Sequence, residues 1–207
     1  MTTFIYVLAA AALLGIGWLA AGVWRIGAVS RGEPIGERPG TALILIDLQA
    51  VFWDHGPYSD GAKSAARAAI LDEIGAARAK GYPVIAVRQE WSIPSTVAIA
   101  RLTMKGQAVQ GTAGMELAAP FEGLADRVLV KRVQDAFETG DLDALLAERD
   151  VGRLRLVGLD FNYCVQKTAL AARNRGYEVT VVASGTLSAG PTAQAANRMT
   201  ARAVVLE

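Results

Sequence analysis

The chain has 207 residues, a formal net charge of +1, one cysteine and one histidine. This length suits one domain with a full hydrophobic core and a short additional segment. The near-neutral charge gives no electrostatic argument for a nucleic-acid partner, the single cysteine excludes an internal disulfide, and the single histidine excludes a histidine-rich metal site.

The N-terminal segment is strongly apolar. Residues 4–23 carry no charge, and a helix of that length spans about 30 Å, the thickness of a hydrocarbon core. A secretory signal peptide is the competing interpretation, but the first three residues lack the basic charge that normally precedes one. Positive charge instead follows the apolar run, at Arg25, Arg31 and Arg38, which places that end in the cytoplasm. We therefore expect residues 1–25 to form a single-pass transmembrane anchor, with the rest of the chain on the cytoplasmic side.

A polar linker is predicted over residues 26–40, where glycine and proline are frequent. The domain is expected to occupy residues 41–207. It opens with a continuous apolar run, residues 41–46, which is typical of a strand covered on both faces of a parallel sheet. Asp47 follows at the carboxyl end of that strand, where open α/β sheets place their sites, although a helix cap or a turn also commonly carries an aspartate.

Strands and helices alternate through the rest of the domain. Helices are predicted at residues 62–80, 141–149, 162–175 and 192–200, and strands at 83–87, 127–130, 153–159, 178–183 and 203–206. Residues 92–123 show no regular pattern, which is typical of a lid or binding loop. The alternation predicts a three-layer α/β/α domain with a central, mainly parallel six-stranded sheet, preceded by one transmembrane helix.

The only cysteine lies where a strand passes into a helix. Residues 154–159 form an apolar run, and the helical pattern that follows puts Cys164 in the first turn of the helix. Free backbone N–H groups and the positive end of the helix dipole favour a thiolate there. A buried cysteine that only packs is the competing interpretation, because free cysteine is among the most buried residue types.

Asp47, Lys131 and Cys164 follow the first, third and fourth predicted strands. The carboxyl ends of parallel strands lie at one edge of a sheet, so a carboxylate, an ammonium and a thiol can meet there. A solvated surface lysine is the competing interpretation of Lys131. The spacing alone does not decide between them, because any α/β protein places polar residues at strand exits.

Three blocks of the sequence resemble the isochorismatase-like cysteine hydrolases, a family that includes nicotinamidases and N-carbamoylsarcosine amidases. The blocks are ALILIDLQAVF at residues 42–52, VKRVQDAF at 130–137 and GLDFNYCVQKTALAARNRGYEVTVV at 158–182, and GTAG at 111–114 fits the segment before the third strand. They occur in the order and at the spacing of the family, and the resemblance covers residues 40–207.

The resemblance implies a catalytic triad of Asp47, Lys131 and Cys164 and a cis peptide bond before Asp160. It also implies an oxyanion hole formed by the backbone N–H groups of Asp160 and Cys164. The substrate pocket is expected to include Gln49, Phe52, Trp91 and Phe161. The implied chemistry is hydrolysis of a C–N bond in a small amide, ureide or carbamoyl compound, through a thioester on Cys164.

The chain also departs from the family pattern. Nicotinamidases of this family bind a metal through an aspartate and histidines, whereas this chain has Asp54 beside its only histidine, His55. We therefore expect no metal and no other cofactor. Two alternatives stay open: an isochorismatase-type ether hydrolase that does not depend on cysteine, and a catalytically inert, membrane-tethered binding module of the same fold. The expected partners are a small-molecule substrate and the membrane, with a homo-oligomer left open.

Overall fold

The computed structural model describes residues 2–207, so Met1, the first residue of the expected anchor, lies outside the described part. The helices are α1 Thr2–Ile26, α2 Ala50–Trp53, α3 Asp60–Ala79, α4 Pro94–Thr103, α5 Asp141–Glu148, α6 Gln166–Asn174 and α7 Ala193–Thr200. The strands are β1 Gly40–Ile46, β2 Val84–Gln89, β3 Arg127–Lys131, β4 Val151–Gly158, β5 Glu178–Thr186 and β6 Val205–Leu206. A 3-10 turn, Ala119–Phe121, precedes β3, and a π-helical turn, Phe161–Val165, leads into α6.

The six strands form one parallel sheet in the order β3-β2-β1-β4-β5-β6. The chain adds β2 and β3 on one side of β1 and then returns to add the remaining strands on the other side. The carboxyl ends of β1 and β4 therefore lie side by side at the point where the winding reverses, which is where open α/β sheets bind ligands. The prediction of a six-stranded α/β fold is confirmed.

The hydrophobic core has two halves, one on each face of the sheet. Side chains of β1 alternate between them: Ile44 and Ile46 pack with residues of α5, α6 and α7, whereas Leu43 and Leu45 pack with α3. All four are at most 1% exposed. Because β1 is covered on both faces, its sequence is apolar throughout and does not alternate with polar residues.

Helix α4 lies where the sequence predicted only an irregular stretch. It begins with Pro94, whose missing N–H is not needed at the first position of a helix. Its N-terminus has no capping side chain and the helix is only ten residues long, so the sequence carried little signal for it. The helix buries Ile99 and Ala100, and this packing stabilises it in the folded protein.

Helix α1 extends one residue beyond the expected anchor and contacts the domain. It is long and apolar enough to cross a membrane, with a mean hydropathy of 2.2. Residues 3–18 are exposed, whereas Gly22 and Ile26 are buried. Ile26 packs in one cluster with Ile99 and Ala100, and a Cβ at Gly22 would lie 2.9 Å from the carbonyl oxygen of Ser95. The last two turns of α1 are therefore docked on α4.

The expected linker contains no helix or strand between residues 27 and 39, but it is bound along the domain surface. The Ser30 N–H donates to the Asp135 carboxylate at 2.8 Å, and the Asn174 side-chain amide donates to the Ser30 carbonyl at 2.9 Å. Further along, the Ile35 N–H donates to the Arg175 carbonyl at 2.9 Å. These bonds hold the segment that joins α1 to the sheet against the domain.

Candidate active site

Asp47, Lys131 and Cys164 meet at the carboxyl edge of the sheet. Lys131 Nζ lies 3.0 Å from Asp47 Oδ2 and 3.3 Å from Cys164 Sγ. The three residues are buried, with exposures of 3% for Asp47, 0% for Lys131 and 9% for Cys164. The structure therefore places the carboxylate, ammonium and thiol together in one water-poor group.

Asp47 is positioned by the exit of β1. Its backbone adopts a left-handed φ of 53°, which aspartate tolerates better than most residues, and its N–H donates to the Val87 carbonyl at 2.9 Å. Oδ2 pairs with Lys131, but Oδ1 is buried and has no hydrogen-bond partner among residues 2–207. That second oxygen is free to accept a proton.

Cys164 is positioned by the connection between β4 and α6. Gly158 ends β4 with a φ of 123°, and a Cβ at this position would overlap the carbonyl oxygen of Ile46, so only glycine fits. The peptide bond between Leu159 and Asp160 is cis. The π-helical turn then begins, capped by the Asp160 carboxylate, which accepts a hydrogen bond from the Asn162 N–H at 2.8 Å. Cys164 lies in the first helical turn, as predicted, but that turn is π-helical.

Gln89 is a site residue that the sequence analysis missed. It ends β2, between β1 and β3, and it is in register with Lys131. Its side-chain oxygen accepts a hydrogen bond from Lys131 Nζ at 2.5 Å. Gln49 in turn holds the Gln89 backbone, accepting from its N–H at 2.6 Å and donating to its carbonyl at 3.1 Å. A glutamine at a strand exit gives no signal of its own, because only the strand order shows that it lies between Asp47 and Lys131.

A cavity of about 490 Å³ opens onto these residues. Asp47 and Cys164 lie in its wall, and two of the predicted pocket residues, Phe52 and Trp91, also line it. Trp91 is 3% exposed, and its indole Nε1–H is buried without an acceptor in the described part of the chain. The remaining wall is formed by Pro57, Tyr58, Thr103, Met104, Gln107, Gln134, Leu159, Asp160, Tyr163 and Ala189.

The other two predicted pocket residues do not line this cavity. Gln49 is fully buried, and its side chain is committed to backbone groups of Gln89 and Met115. Phe161 packs in the core on the face of the sheet that α6 covers. Tyr163, two residues later, faces the cavity instead and is 54% exposed. The π-helical turn determines which of these two aromatic side chains points outward, and the sequence pattern did not predict that turn.

The surroundings of the triad shift the pKa of each member. Burial raises the pKa of the Cys164 thiol, the charge of Asp47 adds to this effect, and Lys131 opposes it. Burial also raises the pKa of Asp47, in spite of Lys131. For Lys131, burial lowers the pKa, but the charges of Asp47 and Cys164 outweigh it and the net direction is upward. Burial and the charge of Asp47 thus favour the thiol form of Cys164, whereas Lys131 favours the thiolate.

A histidine-based metal site does not fit the residues present. Within residues 2–207, no group of three or more His, Cys, Asp or Glu side chains is arranged to hold a metal ion. Asp54 and His55 are both exposed and lie outside the wall of the cavity.

Known proteins of similar sequence share this domain. The model of the isochorismatase domain family matches residues 41–207. Ureidoacrylate amidohydrolase RutB of Methylorubrum extorquens is 29% identical to this chain, in a match that covers 82% of this chain and 80% of RutB. The sequence similarity thus covers the whole region that carries the triad.

Solved structures share the fold. Pyrazinamidase of Pyrococcus horikoshii, in complex with zinc, is 25% identical, with a TM-score of 0.68 over 82% of this chain and 99% of its own. N-carbamoylsarcosine amidase from Thermoplasma acidophilum, at 23% identity, has a TM-score of 0.69 over 82% of this chain and 96% of its own, a likeness of fold. The resemblance seen in the three sequence blocks is confirmed, and the chain belongs to the isochorismatase family.

Proposed function

We propose that this protein is a membrane-anchored cysteine hydrolase that cleaves a C–N bond of a small amide, ureide or carbamoyl compound through a thioester on Cys164. The coarser assignment, an amidohydrolase of the isochorismatase family, rests on the family match and on the likeness to RutB and pyrazinamidase. The finer assignment rests on the triad and on α1.

The observation that carries the covalent mechanism is the buried contact of Asp47, Lys131 and Cys164, with Asp47 Oδ1 free to accept a proton. Leaving a carboxylate oxygen buried without a partner costs free energy. An inert binding module would gain nothing from this arrangement, whereas an enzyme uses it as a base. The geometry therefore favours catalysis over the inert alternative.

In the first chemical step, the Cys164 sulfur attacks the carbonyl carbon of the substrate while its proton passes to Asp47. The raised pKa of both groups suits a direct transfer, because the thiol keeps its proton until a carboxylate of increased basicity accepts it. Lys131 stays charged throughout and stabilises first the carboxylate and then the developing charge on sulfur.

The oxygen of the tetrahedral intermediate is proposed to bind the backbone N–H groups of Asp160 and Cys164. In the turns, loops and caps of residues 2–207, no backbone carbonyl accepts a hydrogen bond from the Asp160 N–H. Asp160 also lies in the cavity wall next to Leu159 and close to Cys164. These two placements support the oxyanion hole that the family resemblance implies.

The intermediate then collapses by breaking the C–N bond. Asp47 returns its proton to the departing nitrogen, which leaves as ammonia or an amine, and the acyl group remains on Cys164 as a thioester. A water molecule next gives a proton to Asp47 and its oxygen to the acyl carbon. The product acid leaves, and the sulfur recovers its proton from Asp47.

The anchor is supported by α1, whose apolar length and mean hydropathy of 2.2 suit a membrane span. Trp18 and Trp24, with exposures of 48% and 73%, lie towards its C-terminal end, where interfacial aromatic residues belong. Arg25, Arg31 and Arg38 follow and favour the cytoplasmic side for the domain. A cleaved signal peptide has a similar composition and remains the alternative to be tested.

The test of the chemistry is ammonia release from a panel of small amides, ureides and carbamoyl compounds by the full chain. We expect Cys164→Ala to remove nearly all turnover and Asp47→Asn to reduce it at least about 100-fold. Asp54→Asn, which removes an exposed carboxylate outside the cavity, is the matched control and should behave as wild type. Wild-type turnover by Cys164→Ala would contradict the covalent mechanism and favour the ether hydrolase.

A further inference from the structure

A second cavity, of about 590 Å³, adjoins the one that opens onto the triad. Gln134, Tyr163 and Ala189 line both cavities and so form the boundary between them. The C-terminal end of α1 contributes Val23 and Ile26 to the wall of the outer cavity, and α6 and α7 form the opposite side. We call this outer cavity the vestibule.

The vestibule is positively charged. Lys167 and Arg198 lie in its wall, and no aspartate or glutamate of the described chain lines it. Neither of the two forms an ion pair with any residue between 2 and 207. Burial lowers the pKa of Lys167, and the like charge of Arg198 lowers it further. Two neighbouring cations without a counter-ion repel each other, and an anion bound between them relieves that repulsion.

The inner cavity has the opposite character. Asp47 and Asp160 line it, and its described wall contains no lysine or arginine. Lys131 is fully buried and already paired with Asp47. An acidic group on a substrate therefore finds no counter-ion beside Cys164, whereas it finds two in the vestibule next to it.

The two cavities are close enough for one small molecule to reach both. Lys167 follows Cys164 by three residues, across the junction between the π-helical turn and α6, and Tyr163 beside Cys164 lines both cavities. The long lysine side chain extends into the vestibule. A substrate with its amide carbon at Cys164 would therefore place an acidic group in the vestibule if the two were separated by several bonds.

We propose that the vestibule binds the acidic group of an amide-type substrate whose scissile bond lies at Cys164, with Lys167 and Arg198 as the counter-ions. This inference rests on the proposed function of Cys164 and specifies its substrate class. The substrates are small amides or ureides that carry a carboxylate or another anion several bonds from the reacting carbon.

The test compares acids with their neutral isosteres. The probes are monoamides of α,ω-dicarboxylic acids and ω-ureido acids of increasing chain length, each paired with the matching carboxamide. We expect kcat/KM to favour the acid over its carboxamide by about tenfold or more, with an optimum at an intermediate chain length. The preference should decrease as salt is added, because salt screens partly exposed charges. Equal kcat/KM for acids and carboxamides at every length would overturn the proposal.

Variants at Lys167 and Arg198 test whether these two side chains cause the preference for acids over carboxamides. Lys167→Gln and Arg198→Gln should each reduce the ratio of acid to carboxamide kcat/KM, the double variant should bring it close to one, and Lys167→Arg should retain it. A double variant with the wild-type ratio would contradict the proposal. Arg67→Gln, which removes an exposed charge on α3 outside both cavities, is the control and should keep the wild-type ratio.

A binding measurement separates this proposal from the proposed function. In the Cys164→Ala variant, calorimetry should show tighter binding of the acids than of the carboxamides, and this difference should disappear when Lys167→Gln and Arg198→Gln are added. If wild type turns over none of the probes but Cys164→Ala still prefers the acids, the proposed chemistry fails and the anion site stands. If neutral amides are turned over but neither measurement shows a preference for acids, the proposed chemistry stands and the anion site is contradicted.

Discussion

Lys131 bridges residues from three neighbouring strand ends, and at the scale of single residues its position is the central feature of the site. It ends β3, yet it pairs with Asp47, which follows β1, so its side chain crosses the end of β2. Gln89 and the Val133 carbonyl, at 3.2 Å, accept hydrogen bonds from the same ammonium. Asp47 and Cys164 also contact this ammonium, so four groups surround its three N–H donors. These contacts fix the position of the positive charge.

Removing the acceptor on Gln89 should therefore disturb Lys131 without touching the substrate. We expect Gln89→Leu to lower kcat about 10-fold or more, with a smaller effect on KM. Without the Gln89 acceptor, Lys131 would no longer fix the Asp47 carboxylate and the Cys164 sulfur relative to each other. Gln89→Glu keeps an acceptor oxygen and should retain more activity. Gln110→Leu changes an exposed glutamine outside the cavity and serves as the control. A change confined to KM would contradict this positioning role.

The pKa shifts predict a pH dependence. Only the carboxylate form of Asp47 can accept the thiol proton, and its pKa is raised above the ordinary value of 3.8. As the pH falls, Asp47 is therefore protonated earlier than an ordinary aspartate. In the profile of kcat/KM against pH, activity should therefore fall at a higher pH than the protonation of an ordinary aspartate would give. A fall at the pH of an ordinary aspartate would show that Asp47 is not the base.

Thiol alkylation gives a second check on the same pair. Because the pKa of Cys164 is raised, iodoacetamide should modify it more slowly at pH 8 than it modifies free cysteine. Asp47→Asn removes a negative charge that contributes to this shift, so it should speed alkylation while it abolishes turnover. Asp54→Asn should change neither rate. A parallel loss of both rates in Asp47→Asn would instead indicate structural damage.

At the scale of elements, the contact between α1 and α4 connects the apolar N-terminal helix to the cavity wall. Gly22 of α1 lies against Ser95 of α4, and the C-terminal end of α4 supplies Thr103 and Met104 to the cavity. A larger side chain at position 22 would push the two helices apart and shift that wall. The docking of α1 is therefore expected to affect both stability and substrate binding.

The corresponding prediction uses two glycines of the same helix. Gly22→Leu should destabilise the fold by about 1–3 kcal/mol through overpacking and raise KM. Gly17→Leu is the matched control, because nothing lies within 4 Å of a Cβ at that position. Thermal unfolding of the full chain in detergent, with kinetics on the best amide, checks both. Equal unfolding temperatures for the two variants would show that the α1–α4 contact contributes nothing.

At the scale of the whole molecule, the proposed anchor has an exposed part and is joined to the domain by a docked linker. The apolar residues of α1 that precede Leu19 are exposed, so lipid can cover them, whereas the end of the helix packs on the domain. Because residues 27–39 are hydrogen bonded to the domain, the catalytic cavity would be held close to the bilayer surface.

The full-length protein should therefore remain with membranes after carbonate extraction, with its domain protected from added protease in intact cells. Leu14→Arg should weaken this association, because an arginine near the centre of a spanning helix costs at least about 2.5 kcal/mol. Leu14→Ala, which keeps the same position apolar, is the control. A soluble mature protein beginning near Ser30 would contradict the anchor and favour a cleaved signal peptide.

The sequence by itself determined the layered fold, and together with the family resemblance it indicated Asp47, Lys131 and Cys164 as the candidate triad. Continuous apolar runs such as 41–46 are typical of strands covered on both faces, and a polar residue directly after such a run lies at the carboxyl edge of the sheet. The pattern placed Asp47, Lys131 and Cys164 at that edge because strand ends and chain direction can both be read along the sequence. Their assignment as a catalytic triad came from the resemblance to the family and stays a proposal.

The tertiary structure alone decided what surrounds these residues. Gln89 belongs to the site because β2 lies between β1 and β3, and strand order is a long-range property. Helix α4 packs in a cluster that joins Ile26 to Trp91 and Val109, and the end of α1 supplies part of the vestibule wall. The π-helical turn selects Tyr163 over Phe161 for the cavity. The pKa of Cys164 rises because burial and the charge of Asp47 outweigh Lys131, and burial and distance exist only once the chain has folded.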